Sequence, residues 1–143
     1  MPETGKIRII IADDFKVLRD VIRLHLARAG DMDVVGEAPD LDDALERVRA
    51  VRADVVIMND YLPPIESAHA TARFREQGFT GAILVISIHL EPGLMQRSFL
   101  NGANGFMHKD EIDEYLVDAI RRVHQGERYV SPKAGDAYSS IQE

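Results

Sequence analysis

Two short stretches constrain this chain more than anything else in it. Val55-Val56-Ile57-Met58 and Ala82-Ile83-Leu84-Val85-Ile86 are unbroken apolar runs, each followed by polar side chains. Runs of this length and evenness read as strands buried on both faces, the kind found in parallel sheets covered by helices. The first ends at Asn59-Asp60, and Pro63-Pro64 shortly after cannot continue a strand. Ligands of open parallel sheets bind beyond the carboxyl ends of the strands, which puts Asn59 at a predicted site.

The rest of the chain alternates around these runs. Lys6-Ile7-Arg8-Ile9-Ile10-Ile11-Ala12 reads as a first strand delivering Asp13 and Asp14 at its end. Leu18, Val21, Ile22, Leu26 and Ala29 follow helical spacing, with Gly30 as the stop. A short strand over residues 33–38 precedes a helix capped by Asp40 and carrying Leu41, Ala44, Leu45 and Val48 inward. A third helix is expected after Pro64, running to about Gln77, with Ile65, Ala68, Ala72 and Phe74 inward. Pro92 starts a fourth, burying Leu94, Met95, Phe99 and Leu100. Phe106-Met107-His108-Lys109 is a very short strand, and Asp110 caps a final helix with the stripe Ile112, Leu116, Ala119, Ile120 and Val123. Strand and helix thus alternate five times with connections too long for hairpins, predicting a doubly wound five-stranded parallel sheet with right-handed crossovers. Residues 128–143 contain Ser-Pro, Gly and Ser-Ser and read as a linker or disordered tail.

Composition narrows the function classes. A chain of 143 residues fits one domain. It has no cysteine, which removes disulfides, thiolate metal sites and a cysteine nucleophile. The five histidines, His25, His69, His89, His108 and His124, have no paired spacing of a zinc site. A net charge of −7 argues against direct binding of nucleic acid. With no long apolar run and no signal-peptide pattern, the expectation is a cytoplasmic protein without membrane contact.

Asp13 and Asp14, Asn59, Ser87 and Lys109 fall on one predicted rim. Together with Ile11-Ala12-Asp13-Asp14, Val35-Gly36-Glu37-Ala38, Asn101-Gly102-Ala103-Asn104-Gly105-Phe106 and the 126–132 segment, they resemble the receiver domain of bacterial two-component response regulators. The similarity is to the branch in which the receiver precedes a helix-turn-helix domain. It implies a (βα)5 flavodoxin-like fold with strand order 2-1-3-4-5, a receiver domain at residues 6–127, and no output domain within this chain. It further implies aspartyl-phosphate chemistry with Mg²⁺ rather than an enzymatic function. Asp13, Asp14, the residue at position 59 and the backbone carbonyl of Tyr61 would hold the cation, which suits oxygen ligands. Ser87 and Lys109 would bind the phosphoryl group, and Phe106 would be the switch aromatic. A histidine kinase or phosphotransfer protein would be the partner, with a homodimer as a further association.

At the phosphoacceptor position this sequence departs from the family. Asn59 stands where the acceptor aspartate is expected, and an amide has no anionic oxygen to attack phosphorus. Mg²⁺ binding should be weak as well. Two alternatives stay open: a natural pseudo-receiver working through protein contacts, and a phosphorylatable regulator carrying an Asp→Asn substitution. Asp60, the neighbouring carboxylate, should point away from the pocket because strand side chains alternate. A small nucleotide- or flavin-binding enzyme of the same architecture is the alternative from another class. The 12–16 turn offers carboxylates in place of the glycines that cradle phosphate, which speaks against it.

Overall fold

A computed structural model describes residues 5–89 and 91–142. The strands are β1 (Ile7–Ala12), β2 (Met32–Ala38), β3 (Val55–Asn59), β4 (Tyr61–Leu62), β5 (Ile65–Glu66), β6 (Ala82–Ser87), β7 (Gly105–His108) and β8 (Tyr129–Val130). The helices are α1 (Lys16–Ala29), α2 (Leu41–Ala50), α3 (Ser67–Glu76), α4 (Pro92–Leu100), α5 (Ile112–His124) and α6 (Pro132–Gln142), with a 3₁₀ turn at Lys109–Glu111. The main sheet runs β2-β1-β3-β6-β7-β8 with every pair parallel. Its first five strands are the predicted 2-1-3-4-5 order of a flavodoxin-like fold, and β8 extends the edge.

Two-sided burial explains the sheet. On one face, Ile9, Ile11, Val55, Ile57, Leu84, Ile86 and Met107 pack against Ile22 and Leu26 of α1 and Leu116 and Ile120 of α5. On the other, Ile10, Val56, Met58, Ile83, Val85 and Phe106 pack against Leu41 and Leu45 of α2, Phe74 of α3, and Leu94 and Met95 of α4. Successive residues of a strand therefore serve opposite cores. Asp40 caps α2 as expected, its Oδ1 accepting from Asp43 N–H at 2.9 Å, and α1 ends at Gly30 in the left-handed region.

Several sequence expectations are corrected. Residues 61–66 form the small antiparallel β4–β5 pair, so α3 begins at Ser67 rather than after Pro64. A 3₁₀ turn precedes α5, and His108 Nδ1, not Asp110, accepts the first free N–H. Val21 and Leu100 face outward; Leu100 is 85% exposed. The segment expected to be a linker or disordered tail forms β8 and α6 instead. Ser131-Pro132 is a helix start as well as a loop signal, and the following Ala134 is fully buried in the α2–α4 core.

Arg75 joins the carboxyl end of α3 to the turns before β6 and β7. Its guanidinium donates to the carbonyls of Phe79 (2.8 Å), Gly81 (2.7 Å) and Gly102 (2.8 Å) and to Asn104 Oδ1 (2.9 Å). Every acceptor is neutral, and burial lowers its pKa from the usual arginine value. Gly102 sits beneath it at φ +109°, where a Cβ would lie 3.0 Å from the arginine side chain. Replacing Arg75 with Met takes the donor from these part-buried carbonyls, while Asn104 Oδ1 keeps the Ile83 N–H at 2.8 Å. The substitution should lower the free energy of unfolding by about 2–4 kcal/mol, read from urea denaturation monitored by circular dichroism.

Candidate functional site

The alternation that builds the two cores also sorts the polar residues at the strand ends. On β3, Val55 and Ile57 face α1 and α5, and Asn59 continues that series; Val56 and Met58 face α2–α4, and Asp60 continues that one. Asp13 follows Ile9 and Ile11 towards the α1 and α5 side, while Ser87 follows Ile83 and Val85 to the other. Since Ala12 lies opposite Met58 in the β1–β3 register, Asp13 comes level with Asn59. Lys109 follows Met107, and its positive charge acts on the Asp13 carboxylate. Asp13, Asn59 and Lys109 thus gather on one side of the rim.

Asp13 is 3% exposed. Its Oδ1 accepts from Phe15 N–H at 2.8 Å, turning the chain into α1, and its carbonyl accepts from Arg19 Nη1 at 2.6 Å. Burial raises its carboxyl pKa above the usual value, against the opposing pull of the Phe15 N–H and Lys109; the neighbouring Asp14 charge adds to the rise. Asp14 itself is exposed. Asn59 donates from Nδ2 to the Tyr61 carbonyl at 3.2 Å, while its Oδ1 is buried without a hydrogen-bond partner. A buried amide oxygen left unpaired is costly, and it is the sort of donor a hard cation takes. The donor set fits such an ion in chemistry but has fewer charges than a three-carboxylate site. Among the described residues, no group of three His, Cys, Asp or Glu side chains is placed to hold a metal.

Ser87 shares the parity of Asp60 rather than of Asn59, but it ends β6 at the carboxyl edge, where a change of rotamer can turn its hydroxyl to either side. Its hydroxyl donates to Asp60 Oδ2 at 2.7 Å and accepts from His89 N–H at 2.7 Å. Asp60 points away from the Asn59 side as alternation requires, yet it is not solvated: its side chain is 10% exposed, and His89 Nε2 stands 3.8 Å from the same oxygen. Phe106 is fully buried in the core on this side. The Asp60, His89 and Arg19 contacts are ones that sequence reasoning missed. The signal for Asp60 and Ser87 was present in the parity of residues 56, 58 and 60 and of 83, 85 and 87, but using it needs the register between β3 and β6.

Comparison with known proteins agrees with this architecture. Residues 9–121 match the family described as the response regulator receiver domain. The chain is 31% identical over 131 residues to the probable transcriptional regulatory protein NarL of Mycobacterium tuberculosis, covering 92% of this chain and 61% of that protein. It is 35% identical over 127 residues to the oxygen regulatory protein NreC of Staphylococcus carnosus, covering 88% and 58%. The chain therefore spans about three fifths of the length of these relatives. Among solved structures, a two-component response regulator of the LuxR family from an Aurantimonas species superposes with a TM-score of 0.90 at 28% identity, over 96% of this chain and 98% of that one. The receiver domain of the Mycobacterium tuberculosis NarL gives 0.74 at 32% identity, over 84% and 98%. None of these supports a nucleotide- or flavin-binding enzyme.

The raised pKa of Asp13 has a definite sign in the pH dependence of stability. The folded protein keeps this proton to higher pH than the unfolded chain, so ionisation of Asp13 costs stability as pH rises past the ordinary carboxylate value of 3.8. Asp13→Asn retains an acceptor for Phe15 N–H and removes that cost. The variant should be more stable than the parent at neutral pH, and the difference should vanish below about pH 3, as measured by urea denaturation across that range.

Proposed function

The chain belongs to the response regulator receiver domain family, and from that premise we propose that it is a two-component signalling module whose acceptor position, Asn59, does not take up phosphate as it stands. What supports this reading is a neutral amide at the end of the central strand, one residue beyond the Ala12–Met58 pairing that precedes Asp13. Phosphoryl transfer needs a nucleophilic oxygen, a cation for the developing charge and fixed donors to the equatorial oxygens. Asp13, Asp14, the Tyr61 carbonyl and Asn59 Oδ1 would hold Mg²⁺, and Lys109 would supply an ammonium donor. When bound, Mg²⁺ neutralises charge on the phosphoryl oxygens. With one carboxylate replaced by an amide, its affinity is low.

The module regulates a partner or an output domain by changing its conformation or association. A histidine kinase or phosphotransfer protein is the upstream partner, and a second copy of the chain is a further one. Transcriptional control is the role named for the longer relatives; here it would act through a helix-turn-helix domain, since the acidic receiver has little to offer a phosphate backbone. Among the described residues no helix is long and apolar enough to cross a membrane.

A second reading, a phosphorylatable regulator carrying an Asp→Asn substitution, draws on the retained Asp13, Asp14 and Lys109. Intact mass after incubation with Mg²⁺ and a small acyl phosphate separates the two. Asn59→Asp should gain one acid-labile phosphoryl group while the parent gains none. Uptake by neither would mean a pocket given up for phosphotransfer. Uptake by both would place the acceptor elsewhere and refute the assignment of position 59.

A further inference from the structure

We propose that Asp60 is a built-in anion that holds the Ser87 hydroxyl in place of a phosphoryl group, fixing His89 just after β6 whether or not the protein is phosphorylated. The inference rests on the receiver reading for the role of Ser87, and on the geometry for the rest. A serine hydroxyl has a single proton. In an ordinary receiver that proton would be given to a phosphoryl oxygen at the acceptor position, which here is an amide. Two acceptors compete for it in this fold, the Asp60 carboxylate at 2.7 Å and the His89 carbonyl at 3.0 Å. The shorter, charge-assisted bond wins.

Asp60 is well placed to act as a fixed anchor. Its N–H donates to the Ile86 carbonyl at 3.1 Å, and its carbonyl accepts from Ser67 N–H at 2.7 Å, so its backbone is tied to β6 and to the start of α3. Ser87 passes the constraint on, because its oxygen also accepts the His89 N–H at 2.7 Å. The carboxylate, hydroxyl and amide form a chain from the central strand to the loop that leads into α4. Asp60 is a positioning residue in this arrangement, and Asn59, on the other face, takes no part in it.

Amide hydrogen exchange of His89, followed by NMR, tests the proposal. Asp60→Leu and Ser87→Ala should each speed His89 exchange by about tenfold or more, the factor for losing a hydrogen bond of this kind. The double variant should show no further increase, and Asp60→Asn, which keeps an acceptor oxygen, should recover part of the protection. Exchange at Ile57 in the central strand serves as the control. His89 exchange unchanged in Asp60→Leu, or altered only in step with Ile57, would overturn the proposal. In the Asn59→Asp background with Mg²⁺ and a small acyl phosphate, phosphorylation should slow His89 exchange only when Asp60→Leu is also present. An equal response with Asp60 intact would refute the stand-in role. Absence of phosphoryl uptake by Asn59→Asp would instead count against the receiver reading of position 59, while the His89 comparison without that substitution would still decide the clamp.

Discussion

Burial of the central strands on both faces is the constraint on which the rest of the structure depends. Val55 to Met58 and Ala82 to Ile86 are at most 8% exposed, and each residue serves one of two separate cores. A shift of one residue in either strand would exchange every side chain between those cores, so the register is strongly held. The polar residues that follow inherit that register. Asn59 and Asp60 are neighbours in sequence and belong to different sides of the sheet for this reason alone.

The two sides of the rim differ in their electrostatics. On the α1 and α5 side, Asp13 is buried under the influence of Lys109, and the Asn59 amide adds an unpaired oxygen but no charge. An aspartate at position 59 would bring a further carboxylate beside one whose pKa burial already raises, a load that a divalent cation could offset. The amide brings no such load. On the α2–α4 side, the Asp60 carboxylate has the Ser87 hydroxyl, with the His89 imidazole close by.

The far end of the chain is tied to the same rim. Ser131 Oγ accepts from His108 N–H at 3.2 Å, and Ser131 N–H donates to the Phe106 carbonyl at 3.1 Å. Buried Glu111 accepts from Lys133 N–H at 3.2 Å, placing a carboxylate at the start of α6 two residues from Lys109. The carboxyl end of β7 and the start of α6 are thus joined by hydrogen bonds and by the packed Ala134. Arg75 closes the opposite end, where its neutral acceptors link α3 to the turns before β6 and β7.

The sequence by itself determined the alternating order of strands and helices, the parallel sheet, the Asp40 cap and the family, because each rests on local periodicity or on short motifs. It also placed Asn59 at the end of the central strand. The register between strands, and with it the grouping of Asp13, Asn59 and Lys109 apart from Ser87 and Asp60, was decided only by the tertiary structure. So was the helical state of residues 132–142, whose Ser-Pro-Lys-Ala-Gly composition suits a loop as well as a helix start. Outward Leu100 and the His108 cap belong to the same class. In each case the outcome depends on which neighbour the fold supplies, a long-range matter that local propensity does not encode.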